Sequence, residues 1–295
     1  MKPPAFDYVV ASSIDEACSL LEADEDAKVI AGGQSLVPLL NLRFANPSVL
    51  VDIGRISSLR GIRRRGDAVV IGAMTRHVEI ETNGAIAASA PLLAEAAGWV
   101  AHPQIRNRGT FGGAIAHSDS AAEFPAVLLA MEATIVMTSP SGERRAAARD
   151  FFGPYFQTSL RQGEIVTAVE VPAADESTRW GFFEFARRKG DYAIGGAAVH
   201  ARVDPDGTCV AVNGGLISAG PGPTAADELS SELIGRRVNR QDIESAVERV
   251  AATLMPEVNV HGSREYRRAV VAESLRRALS QSFDLPDPKI ARRTA

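Results

Sequence analysis

The segment Ala31-Gly32-Gly33-Gln34-Ser35-Leu36-Val37-Pro38 follows directly on the short apolar run Lys28-Val29-Ile30. Two glycines and a small hydroxyl residue after a strand let backbone N–H groups turn inward toward an anion. Glycine adopts φ > 0 freely and has no Cβ to hold a guest away. A diphosphate is the guest that such a loop suits. A Gly-Gly pair after a strand also serves as a plain turn. A second glycine element, Thr110-Phe111-Gly112-Gly113-Ala114-Ile115-Ala116, stands downstream in front of a long helix-like segment. Two such loops can grip one extended nucleotide from both sides. No G-x-G-x-x-G follows a strand and no G-x-x-x-x-G-K-[ST] occurs, so any dinucleotide must be held by loops of another kind.

Between the two elements lies Ala101-His102-Pro103-Gln104-Ile105-Arg106-Asn107-Arg108. The three motifs in this order resemble the FAD-binding medium subunit of the molybdenum hydroxylases, the group that includes the carbon monoxide dehydrogenase flavoprotein and the flavin domain of xanthine dehydrogenase. The resemblance runs from Phe6-Asp7-Tyr8 to Arg264-Glu265-Tyr266-Arg267, essentially the whole chain. It implies an α+β fold in which two α+β subdomains clasp an extended FAD, followed by a smaller α+β domain of antiparallel sheet with helices on one face.

The resemblance also assigns residues. In the first element the N–H groups of Gly32, Gly33, Gln34, Ser35 and Leu36 and the Ser35 hydroxyl are expected at the pyrophosphate, next to Ala31. Lys28 is either a cation near the adenosine phosphate or a plain exposed lysine. In the second element Thr110, Phe111, Gly112, Gly113, Ala114 and Ile115 are expected along the phosphates and flavin, with Ala101 and His117 nearby. Relatives commonly carry His at Gln34, Asn at Ala114 and Ile or Leu at Phe111. The alanine leaves only main chain for cofactor contact. Where the family often has an Asp on a ribose or ribityl hydroxyl, this chain has Glu123. Its alternative is a capping box with Ser120 as cap, and Asp119 is read as shaping the loop. In Arg187-Arg188-Lys189-Gly190-Asp191-Tyr192-Ala193, Tyr192 is expected to cover a flavin face by offset stacking or else to sit at a domain interface. Ile165 and Val166 would line the ring. His102, Arg106 and Arg108 are read as bracing the second element, and Trp99 and Trp180 as core or interface residues.

Composition bounds the rest. The chain has 295 residues, 45% hydrophobic and 23% charged, with a net charge of −4. That suits a globular protein of two domains and offers no nucleic-acid surface. Apolar runs are too short to span a membrane, and residues 1–11 lack an export signal's basic start and apolar core, so a cytoplasmic location is expected. The two cysteines, Cys18 and Cys209, stand in no ligand spacing, and the five histidines are scattered. This polypeptide therefore carries no iron–sulfur or cysteine–zinc site of its own. Arg60, Arg63, Arg64 and Arg65 read as a solvated hairpin ending at Gly66-Asp67.

Ser13-Ile14-Asp15-Glu16 is a capping box opening a helix, ahead of the strand Lys28–Ala31. Further strands are expected at 49–53 and 68–73, helices from Pro91 to Val100 and over Phe124–Ala133, a hairpin around Pro140-Ser141-Gly142-Glu143, and a strand over Glu164–Pro172. The polar stretch 173–178 marks the boundary. The domains are thus 1–175, with subdomains of about 1–55 and 56–175, then 176–285, then a flexible tail 286–295. In the second domain a hairpin pairs 197–203 with 208–218, and helices cover 240–254 and 264–280.

By resemblance the chain is an electron-transfer flavoprotein subunit with non-covalent FAD. Molybdopterin belongs to a large partner subunit and two [2Fe–2S] clusters to a small one, in a dimer of heterotrimers. A self-contained flavin oxidase or dehydrogenase, or an assembly protein without catalytic function, are the alternatives. No acid–base constellation is needed here, because the flavin itself carries the redox chemistry.

Overall fold

The computed structural model describes residues 1–258, 260 and 262–285; the tail expected at 286–295 lies outside the described residues. The chain opens with β1 (Asp7–Val10), α1 (Ile14–Ala23), β2 (Lys28–Ile30), α2 (Leu36–Asn41) and β3 (Val49–Asp52). The three strands form a parallel sheet in the order β1-β3-β2. Helix α1 starts where the capping residues predict. Ser13 Oγ accepts from Glu16 N–H at 3.1 Å, while the Glu16 carboxylate reaches one residue further back, to Ser12 N–H at 2.7 Å. Ala17, Cys18 and Leu21 of α1 pack on Val51 of the central strand.

The second section contains β4 (Ile62–Arg65), β5 (Ala68–Gly72), α3 (His77–Thr82), α4 (Gly84–Ser89), α5 (Pro91–Ala97), α6 (Pro103–Arg106), α7 (Phe111–His117) and α8 (Glu123–Ala130). It continues through β6 (Thr134–Ser139), β7 (Gly142–Ala147), α9 (Ala148–Phe151) and β8 (Ile165–Pro172). An antiparallel sheet runs β4-β5-β8-β6-β7. Arg63, Arg64 and Arg65 of the cluster form the exposed strand of the β4–β5 hairpin, Arg60 lies before it and donates to the Gly54 carbonyl, and Arg65 and Arg145 both pair with Glu170 across the sheet. Every residue of α8 after Glu123 is buried, so this helix is apolar all round rather than amphipathic. Two helices are shorter than the sequence suggests: α5 stops at Ala97 and α8 at Ala130, and Glu132 then takes a positive φ of 50° before β6.

The third section holds β9 (Thr178–Phe185), β10 (Gly195–Val203), β11 (Cys209–Ile217), β12 (Thr224–Ala225), α10 (Glu228–Leu233), α11 (Arg240–Thr253) and α12 (Arg264–Ser282). Its sheet is antiparallel in the order β12-β11-β10-β9. The three helices cover one face. The other face rests on α8. A Cβ on Gly215 would lie 1.8 Å from the Ala126 carbonyl oxygen, and one on Gly181, on the opposite face, 2.0 Å from that of Ala278. The sheet is thus laminated between its own helices and the section before it, and the residues between β8 and β9 join two packed sections. Phe182 sits 6.0 Å from Trp99 in that interface, with Trp180 packed beside it.

Candidate functional site

Both glycine elements line one cavity of about 760 Å³. The first element forms the turn from β2 into α2. Gly33 has φ +73°, a conformation that only glycine adopts without strain. A Cβ on Gly32 would meet the Arg108 carbonyl oxygen at 2.5 Å, so the turn presses directly against residues 108–109. Gln34 Nε2 donates to the Gly32 carbonyl at 3.1 Å and helps set the turn. Among the described residues, no acceptor takes a hydrogen bond from the N–H groups of Gly32, Gly33, Gln34, Ser35 or Leu36. Buried or half-buried main-chain donors are normally paired. Four of these five residues are buried or half-buried, Ser35 being exposed, and all five line the cavity, a run of unpaired donors suited to an anion.

The second element is not a loop. Gly112 and Gly113 lie in the first turn of α7, with Thr110 as its N-cap. This corrects two expected residues. Phe111 and Ile115 are wholly buried and point away from the cavity; Phe111 meets Phe124 edge-to-face at 5.0 Å, and its N–H donates to Thr75. The helical period sends them into the core while Gly112, Gly113 and Ala114 face the cavity. Gly112 sits against Ala73, where a Cβ would come within 2.4 Å, and its N–H is spent on the Ala73 carbonyl at 2.7 Å.

The other expected residues, Lys28, Ala31, Ala101, Thr110, His117, Glu123, Ile165, Val166 and Tyr192, all line the same cavity. Ala101 has a strained φ of +42°. Arg106 holds it there. It donates to the carbonyls of Val100 and Ala101 and forks onto the Glu81 carboxylate at 2.7 and 3.2 Å. Arg108 offers its carbonyl to the Arg76 guanidinium. Asp119 shapes its turn by accepting from Ala121 N–H at 2.8 Å. Tyr192 is 72% exposed and stands at the cavity edge. Partial burial and the Asp119 and Glu123 carboxylates push its phenol above the ordinary range.

The capping box built on Ser120 does not form. The N-cap of α8 is Ala122, and Glu123 is its first residue, with its side chain toward the cavity. Burial pushes the Glu123 carboxyl up to about 7. Glu184 of β9 is only 4% exposed; burial and then the charge of Glu123 raise it to about 9.

Sequence reasoning missed His77 and Glu184. His77 opens α3 and lines the cavity, edge-on to Phe124 at 5.0 Å. Neither ring nitrogen has a hydrogen-bond partner; the Thr110 main chain lies near, outside bonding geometry. Burial holds the imidazole neutral by lowering its pKa to about 4. No spacing links either residue to the glycine motifs, so only the fold reveals them. The segment Leu160–Glu164, also on the cavity wall, carries no motif either.

Residues 4–174 match the family described as "FAD binding domain in molybdopterin dehydrogenase", and residues 180–282 match "CO dehydrogenase flavoprotein C-terminal domain". The chain belongs to the FAD-binding medium subunits of the molybdenum hydroxylases. It is 43% identical over 289 residues to the 6-hydroxypseudooxynicotine dehydrogenase complex subunit alpha of Paenarthrobacter nicotinovorans, covering 98% of each chain. It is 41% identical to the nicotine 6-hydroxylase medium subunit of the same organism, covering 96% of this chain and 99% of that one. Its structure superposes on a carbon monoxide dehydrogenase chain from Hydrogenophaga pseudoflava with a TM-score of 0.94 and 38% identity, over 96% of this chain and 99% of that chain. As a medium subunit it is part of an oxidoreductase and its cofactor is FAD. Its five unpartnered N–H groups, set on a cavity of about 760 Å³, fit that dinucleotide. Among the described residues no helix is long and apolar enough to cross a membrane, and no group of His, Cys, Asp and Glu could hold a metal.

Proposed function

We propose that this chain is the electron-transfer subunit of a three-subunit molybdenum hydroxylase. A large subunit oxidises a small substrate at its molybdenum centre, the [2Fe–2S] clusters of a small subunit relay the electrons, and this subunit passes them to an external acceptor. Two such heterotrimers pair in the assembly. The observation that carries the reading is the row of free N–H groups at Gly32–Leu36 on a cavity with no metal-ligand cluster near it. Bound FAD supplies two-electron and one-electron redox chemistry.

The chain's own residues supply position. The N–H groups of Gly32–Leu36 and the Ser35 hydroxyl hold the diphosphate, with Lys28 at the cavity mouth as a nearby cation. Glu123 accepts a hydrogen bond from a ribose or ribityl hydroxyl. Main chain at Gly113 and Ala114 and the apolar Ile165 and Val166 would line the ring system, and Tyr192, at the cavity edge, would limit solvent access to it. Neutral His77 presents uncharged nitrogens to the cavity.

Mixing the isolated, FAD-loaded chain with a candidate substrate should leave the flavin band unchanged, whereas the reconstituted three-subunit enzyme should bleach it. Rapid bleaching by the isolated chain would favour a self-contained flavin enzyme and end the relay reading.

A further inference from the structure

Two residues far apart in the sequence, Gly32 and Arg76, meet at one main-chain oxygen. A Cβ on Gly32 would lie 2.5 Å from the Arg108 carbonyl oxygen, so the first glycine turn is seated directly on that atom. The Arg76 guanidinium donates to the same oxygen through Nη1, and no main-chain N–H among the described residues does so. Arg76 is itself held in place. It is the N-cap of α3, its N–H donates to the Glu79 carboxylate at 3.3 Å, and it pairs antiparallel with Thr110. On either side, His77 N–H donates to the Gly109 carbonyl at 3.2 Å and Phe111 N–H to that of Thr75 at 2.9 Å. Arg76 does not line the cavity, whereas Gly32, Gly109 and Thr110 do.

A carbonyl oxygen is the negative end of a peptide dipole. Set against a turn whose N–H groups are to hold an anion, a bare carbonyl works against that anion. A guanidinium on the oxygen supplies its hydrogen bond and offsets its charge. Half-burial and the neighbouring Arg60 and Arg108 lower the Arg76 pKa, with Glu79 and Asp52 acting the other way. An arginine nevertheless keeps its charge in a protein.

We propose that Arg76 is a positioning residue for the diphosphate site: its guanidinium fixes the Arg108 carbonyl against Gly32 and offsets the negative charge of that oxygen. The N–H groups of Gly32–Leu36 thereby keep their aim, and the bound anion meets no opposing dipole behind the turn. The inference rests on Gly32–Leu36 holding the diphosphate of FAD.

The test uses the full chain freed of FAD, with the Kd for FAD read from the quenching of flavin fluorescence. Arg76→Met keeps the apolar stem and removes charge and donors, so the Kd should rise by about 10- to 100-fold, the worth of one charge-assisted hydrogen bond. Arg76→Lys restores a charged donor and should bring the Kd back to within about fivefold of wild type. Arg60→Met is the control. Arg60 is a neighbouring cation that donates instead to the Gly54 carbonyl at 2.9 Å, so its loss should change the Kd by less than about threefold. Because Arg76 and Gly32 act on one oxygen, their effects should not add. The chain carrying both Gly32→Ala and Arg76→Met should bind no more than about threefold more weakly than Gly32→Ala alone.

Arg76→Met with wild-type affinity overturns the proposal. So does a lysine variant as weak as the methionine one, an Arg60→Met chain as weak as Arg76→Met, or a double variant in which the two factors multiply. If Arg76→Met fails to fold, Arg76→Gln, shorter and uncharged, takes its place with the same expected loss. Absence of FAD binding by the wild-type chain would instead refute the cofactor reading on which the proposal stands.

Discussion

Replacing Gly32 with alanine tests the anion cradle by one methyl group. The added Cβ would meet Arg108 O at 2.5 Å, Gly109 Cα at 2.9 Å and Arg108 C at 3.1 Å. All three are main-chain atoms, so no side chain can swing aside, and the turn must back away from residues 108–109 by several tenths of an ångström. Hydrogen bonds to an anion weaken steeply with such displacements. If two of the five N–H donors lose their phosphate partners, at roughly 1.5–3 kcal/mol each, binding weakens by about 3–6 kcal/mol. That corresponds to a Kd for FAD raised by about 10²- to 10⁴-fold. Quenching of flavin fluorescence on adding apoprotein gives the Kd, and thermal denaturation of the apoprotein shows whether the fold survives. Gly84→Ala is the control. Its Cβ meets nothing within 4 Å at the start of α4, so FAD affinity should be unchanged. A Gly32→Ala chain that melts like wild type and binds FAD within about threefold of it would refute the cradle.

Two further outcomes are expected. The pKa of His77 falls from an ordinary 6.5 to about 4 on folding, so the neutral ring contributes stability that is complete above pH 6.5 and is lost as pH falls through 4. The shift corresponds to about 3 kcal/mol. Urea unfolding of wild type and His77→Leu at pH 7 and pH 4 should show a shallower acid loss in the variant, and parallel losses would show that His77 carries no such strain. The cofactor should be released intact as FAD by acid precipitation, and flavin retained in the pellet would demonstrate a covalent bond.

The sequence made the first glycine element legible because its function lies in the main chain, and glycine content reports main-chain freedom directly. Gly33 at φ +73° and Gly32 against Arg108 are positions where only glycine fits. The second element was read as a loop because glycine lowers helix propensity. Close packing of Gly112 on Ala73 overrides that preference, and the resulting helical period turns Phe111 and Ile115 inward. Strands rich in branched residues, such as β3 and β8, were placed within a residue or two. What stayed hidden was long-range apposition. Glu184 looks like an ordinary exposed strand residue until β9 packs its inner face toward α8 and Trp99. His77 follows a strand with nothing in its spacing to mark it.

The lamination of the third sheet against α8 bears on how the protein is made. Ala126 lies against Gly215, and Tyr192, on the cavity edge, is also contributed by the third section. The ribosome therefore releases the complete anion cradle long before it delivers the residues that close the far end of the site. A nascent chain that has emerged only through β8 has the first glycine turn but not Tyr192, and exposes the face of α8 that β11 will cover. The third section's contribution to the cavity, Gly190, Asp191 and Tyr192, arrives with the β9–β10 connection, so this end of the cavity is completed only after the whole section before it has been made.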